Sequence, residues 1–115
     1  MKHIPPFAIQ LAEDLSPEDL SHVMELLRGD LVRLMNALES AANAGDVVSF
    51  RRAAHGIAGS AGAASIDDLE QAARRAMAVQ GTESVAMTGP AADVRVRVKR
   101  VLDEINAAFD GCVAS

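Results

Sequence analysis

The sequence predicts an all-α fold: an antiparallel up-down four-helix bundle with a short N-terminal capping helix, built as a single domain over residues 1–115. Apolar residues recur at three- and four-residue spacing along nearly the whole chain, in four long runs. The breaks between runs carry helix start and stop residues, and no alternating strand pattern occurs in them. Aromatic residues make up only 3% of the chain, with no Trp and no Tyr, so the core must come from Leu, Val, Ile, Met and Ala. Such side chains suit close helix–helix packing, and short connections make neighbouring helices antiparallel.

The first segment, about Pro6 to Glu13, puts Ile4, Phe7, Leu11 and Leu15 near one side. It is too short to be stable alone and is expected to cover one end of something larger. In Ser16-Pro17-Glu18-Asp19, Ser16 is placed to cap a helix, Pro17 fits its first turn and Asp19 completes a capping-box-like pattern. The second helix then runs from about Pro17 to Ala44, with Leu20, Met24, Leu27, Leu31, Met35 and Leu38 on one stripe. Gly29 inside it marks either a weak spot or a close approach. Gly45 ends this helix and Asp46 caps the third, about Val47 to Ala61 or Gly62, whose stripe is Val47, Phe50, Ala53, Ala54, Ile57 and Ala61. Ser65-Ile66-Asp67-Asp68 reads as another capping box, opening a fourth helix from Ile66 to about Val79. Residues 80–88 are the expected long loop. Gly89-Pro90 is expected to open the fifth helix, which presents Val94, Val98, Val101, Leu102, Ile105 and Phe109 before Gly111 ends it.

Composition narrows the function. The net charge of −5 argues against a phosphate-backbone binder, and the missing aromatics remove stacking platforms for single strands, so no nucleic-acid partner is expected. No apolar run approaches the roughly 18 residues of a membrane span, and Met1 to Pro6 contain no long apolar stretch, so neither a membrane anchor nor a signal peptide is expected. A cytoplasmic protein is the simplest expectation. The single cysteine, Cys112, allows no internal disulfide and reads as a thiol on a fraying end.

The chemistry centres on the third helix. The run from Arg51 to Gly62 carries Gly56, Gly59 and Gly62 around His55. Each interior glycine costs roughly 1 kcal/mol relative to Ala. In a chain this rich in Ala, bare backbone beside an imidazole nucleophile suggests a purpose. With Phe50 at zero on the helical wheel, His55 falls near about 140°, Gly59 near about 180° and Gly62 near about 120°, away from the apolar stripe. Ala58 lies at the edge of that exposed side, and Arg51 and Arg52 sit one turn before the histidine. A large partner could approach the ring closely, and an anion on it would have arginines nearby. A plain surface histidine is the alternative, as is a packing role for the glycines, which Gly56 fits best.

Other chemistries are poorly served. His22 and His3 offer no convergent metal-ligand set with His55. Neither a nucleophile elbow nor an oxyanion hole accompanies His55, and Ser60, five residues on, does not share its face. No P-loop or kinase glycine loop is present, so no ATP-dependent autokinase activity is expected.

The stretch Ala54-His55-Gly56-Ile57-Ala58-Gly59-Ser60-Ala61, with Leu69 on the next helix, resembles the core motif of the histidine-containing phosphotransfer (HPt) domain, Ala-His-x-Leu-Lys-Gly-Ser-Ala followed by Leu. The bundle layout and length match as well, so the resemblance covers nearly the whole chain. It implies that His55 accepts a phosphoryl group from an aspartyl phosphate on a response-regulator receiver domain and passes it to another receiver. It also implies that Gly59 leaves room for the receiver to dock. Mg²⁺ is expected on the partner receiver domain, with no cofactor on this chain. The expected partners are receiver domains and a hybrid histidine kinase. A four-helix bundle is complete in one chain, so a monomer is expected.

Two positions depart from the pattern. Ala58 stands where the family has a Lys that helps hold the phosphoryl charge, leaving Arg51, Arg52 or a cation on the receiver for that task. Ser65 stands where the family has a Gly, and is expected to cap the next helix instead. The expected function is therefore phosphorelay transfer through a phosphohistidine at His55, with Arg51, Arg52, Ala58, Gly59 and Gly62 forming its docking and phosphoryl environment. Ala58 favours the alternative, an interaction protein that binds a receiver or kinase without efficient transfer. A helical adaptor outside signalling is the third class. Exposed Leu26 and Val32 are either part of a docking surface or ordinary scattered apolar residues.

Overall fold

A computed structural model describes residues 1, 3–81 and 83–110. The expectations for Cys112 and Gly111 lie outside the described residues. A 3₁₀ turn at Pro6–Ala8 leads into α1 (Ile9–Asp14), followed by α2 (Pro17–Ala44), α3 (Val47–Ala63), α4 (Asp67–Met77) and α5 (Ser84–Asp110). The described residues contain no strand. Helix α2 packs on α3 and α5, and α4 packs on the same two. One apolar cluster runs through all four long helices, with Phe50, Met24, Leu38, Ile57, Leu69 and Ile105 fully buried. Phe7, Leu11 and Leu15 pack against this cluster, whereas Ile4 stays exposed.

The helix ends follow local chemistry. The Ser16 side chain accepts from the Asp19 amide at 3.1 Å, with Pro17 in the first turn, as the sequence predicts. Helix α2 ends on Gly45 at φ 69, where the Gly45 and Asp46 amides donate to the Ala42 and Ala41 carbonyls. This left-handed ending turns the chain within two residues. Asp46 then caps α3, accepting from the Ser49 amide at 3.1 Å and the Ser49 hydroxyl at 2.7 Å. These two bonds hold the Asp46 carboxyl below its ordinary range.

The α3–α4 junction differs from the sequence expectation. Helix α4 begins at Asp67, and no side chain caps it. Ser65 serves the other helix: it adopts φ 59, its amide donates to Gly62 and the Ile66 amide donates to Ala61. This is a left-handed end to α3 of the kind glycine normally supplies, with Ile66 buried beyond it. Ser65 occupies a position whose backbone favours glycine, which explains why its side chain is not at the start of α4.

Helix α5 also starts earlier than Gly89-Pro90 suggests. It begins at Ser84 and carries Pro90 inside it. A proline there removes a backbone bond at a cost near 3 kcal/mol. Burial of Met87 and Ala91 on either side offsets that cost. The Ser84 hydroxyl donates to the Asn43 carbonyl at 3.4 Å, tying this first turn to the end of α2. The packing that extends the helix comes from a distant segment, so local punctuation alone misplaces its start.

Charges lace the outside. Arg75 bonds Asp93 at 2.9 Å across α4 and α5, and this bond, with Arg97 nearby, holds the Asp93 carboxyl below its ordinary range. Arg97 also reaches Asp68 at 3.3 Å, Arg100 pairs with Asp68, and Arg95 pairs with Glu39 of α2. Gly29 is a simple weak spot, since a Cβ there would meet nothing within 4 Å.

Candidate functional site

His55 is exposed on α3, as its wheel position predicts, with Gly59 and Gly62 exposed on the following turns. The three glycines differ. A Cβ on Gly56 would stand 2.8 Å from Leu34 Cδ2, so Gly56 lets α3 approach α2. A Cβ on Gly62 would stand 3.3 Å from the Glu70 carboxylate of α4. A Cβ on Gly59 would meet nothing within 4 Å. Among the described residues, Gly59 therefore has no steric reason to be glycine.

Two grooves meet at Gly59. One, of about 340 Å³, lies between α2 and α3 and is lined by Val23, Leu26, Leu27, Asp30, Gly59, Ser60, Ala63 and Ala64. Leu26, singled out as an exposed apolar residue, is 56% exposed and forms one wall. The other, of about 280 Å³, holds His55 and is lined by Ala58, Gly59, Gly62, Ala63, Glu70, Arg74 and Met77. The structure thus brings His55, Ala58, Gly59 and Gly62 to one cleft.

Arg51 and Arg52 are not in that lining. Arg51 is half-buried, and its Nε donates to the Val79 carbonyl at 2.6 Å, with Nη2 on the same oxygen. Its guanidinium is engaged by the chain leaving α4. Arg52 is exposed, and its charge is felt by Asp46 one and a half turns back. Helical side chains lean toward the helix N-terminus, which carries Arg52 away from the turns after His55. Ala58 is 6% exposed rather than on an open edge. It still belongs to the lining of the cleft that holds His55.

The sequence reading missed Glu70, Arg74 and Met77. Glu70 accepts from Arg74 Nε at 3.1 Å and from Nη2 at 2.7 Å. The four-residue spacing of this pair was visible as a helix-surface ion pair. What no spacing rule supplies is that α4 lays that pair beside the glycine face of α3. Among the described residues, no cluster of three His, Cys, Asp or Glu side chains is arranged to hold a metal. No helix among them is long and apolar enough to cross a membrane.

The family model for the Hpt domain matches residues 10–109, nearly the whole chain. The chain belongs to the Hpt domain family. Neither a curated protein nor a solved structure matches it. Membership in the Hpt family implies a phosphotransfer role in two-component signalling, a pathway in which Hpt domains meet receiver domains and kinases. The all-helical Hpt architecture agrees with the five helices described, and the matched span contains His55 and every residue lining its cleft.

Proposed function

We propose that this Hpt domain shuttles a phosphoryl group between the aspartates of receiver domains through a phosphohistidine at His55. The observation that carries the proposal is the exposed His55 one turn before Gly59, a glycine that no steric contact among the described residues requires. In the forward step the lone pair of an unprotonated ring nitrogen attacks phosphorus. A P–N bond forms as the aspartyl P–O bond breaks, and the carboxylate leaves with that electron pair. The second receiver reverses the sequence. Such a reaction needs chiefly alignment and neutralised charge. Mg²⁺ belongs on the receiver, and the Hpt chain needs no cofactor of its own.

The groove walled by Leu26 supports docking of a receiver over Gly59, with the open cleft on the other side left for the phosphoryl group. The chain acts as a cytoplasmic monomer, folded as one domain. The two-residue link between α2 and α3 supports an antiparallel up-down bundle. So do the Arg51–Val79 and Gly62–Glu70 approaches, which join opposite ends of α3 and α4. Contacts of Phe7, Leu11 and Leu15 with the core support a capping role for α1.

Incubation with a phosphorylated receiver domain tests the proposal. The wild type should take up an acid-labile, alkali-stable phosphate that His55→Gln lacks. Ala58, which brings no charge to the cleft, favours a second reading in which the chain binds receivers or kinases without carrying phosphate. Stable receiver binding with no such label decides for that second reading.

A further inference from the structure

The cleft beside His55 contains two charged side chains besides the histidine, Glu70 and Arg74. They are joined to one another, and their exposures differ: Arg74 is 60% exposed and Glu70 22%. Glu70 is the less exposed half and lies beside Gly62, and Arg74 is the more exposed half. A guanidinium carries about five N–H donors in a planar fork. Glu70 engages Nε and Nη2 of Arg74, and Nη1 has no hydrogen-bond partner among the described residues.

The other arginines near the histidine are placed differently. Arg51 is committed to the Val79 carbonyl, and Arg52 lies outside the cleft lining. A phosphoryl group brings close to two negative charges and three strong acceptor oxygens. Beside His55 it would face Glu70, which repels it, and Arg74, which attracts it. A fork-shaped donor can engage two phosphate oxygens at once.

We propose that Arg74 is the phosphoryl-binding cation of the His55 site, held ready by Glu70 while the histidine is unmodified and turned toward the phosphoryl oxygens once it is loaded. The inference rests on His55 being the acceptor. It assigns to α4 the charge neutralisation that α3, with Ala58, lacks. It also gives Glu70 a role: the carboxylate keeps Arg74 from docking elsewhere and competes with the phosphoryl for it.

The test is a phosphorus NMR titration of protein phosphorylated with phosphoramidate, following the resonance that His55→Gln lacks. In the wild type, the second ionisation of this phosphoryl group should lie about half to one pH unit below that of Arg74→Gln, the size of one contact ion pair at a protein surface. Arg74→Lys should restore most of the shift, Arg52→Gln should titrate as the wild type, and Glu70→Gln should lower the ionisation further. Coincident titrations for the wild type and Arg74→Gln overturn the assignment of Arg74 alone, as does a shift that follows Arg52. No His55-dependent signal from either phosphoramidate or a phosphorylated receiver overturns the acceptor role and this inference together.

Discussion

Replacing Gly59 separates what the fold needs from what a partner needs. In a helix interior Gly is about 1 kcal/mol worse than Ala. Gly59 lies a full turn inside the end of α3, and an added Cβ meets nothing within 4 Å, so no steric cost offsets that gain. Gly59→Ala should therefore stabilise the domain by about 1 kcal/mol, raising Tm by about 4 °C for a chain of this size. Gly56→Ala is the internal comparison. Its Cβ would stand 2.8 Å from Leu34 Cδ2, so Leu34 must shift and the gain should shrink or vanish. Thermal unfolding followed by far-ultraviolet circular dichroism reads both. Gly59→Leu keeps nearly the same helix propensity but fills the space over the cleft. It should retain the stability gain while weakening receiver binding at least about tenfold, or 1.4 kcal/mol. An unchanged or lower Tm for Gly59→Ala would refute the open-space account. Phosphoryl uptake by Gly59→Leu at the wild-type rate would refute the idea that the glycine is kept for a partner.

Ser65→Gly should stabilise the domain by about 0.5–1 kcal/mol, because a left-handed backbone is costly for serine and nearly free for glycine, less the extra unfolded-state entropy of glycine. A higher urea midpoint at unchanged slope is the expected result, and a lower midpoint would assign the Ser65 side chain a stabilising contact. Asp46→Asn keeps a capping oxygen and removes the charge. Since Ser49 holds the folded-state Asp46 pKa below its unfolded value, the charge contributes stability above the ordinary carboxylate range. That contribution is lost as pH falls through the lowered folded value. The stability gap between wild type and Asp46→Asn should therefore close on acidification below about pH 4, and a gap that persists to lower pH would contradict it.

Much of the fold was readable because helix signals are local. Ser16 and Asp46 accept from amides three residues on, Pro17 fits the first turn, and the Gly45 amide donates to a carbonyl of the last turn of α2, each where the sequence places it. The apolar stripes of α2, α3 and α5 needed only a period of 3.6. Misplaced boundaries arose where one residue could serve either of two helices, or where a distant segment decided the outcome. Ser65 looked like the start of α4, yet the Schellman-type bonds from Ser65 and Ile66 to Gly62 and Ala61 make it the end of α3. Gly89-Pro90 looked like a helix start, yet burial of Met87 carries α5 back to Ser84.

The candidate site divides the same way. His55, Gly59 and Gly62 share one solvent-facing side of a single helix, and intrahelical geometry fixes that without knowledge of any neighbour. The sequence alone therefore determined which imidazole is presented and that small residues follow it. Tertiary structure decided which charges surround it. Arg51, one turn from His55 in sequence, is drawn to a carbonyl 28 positions away. Arg74, on another helix, enters the cleft because α4 packs along α3. A helix repeat specifies direction around its own axis, but the identity of the facing residue depends on the rotation and offset of the second helix. Those are set by the whole apolar core, to which every long helix contributes.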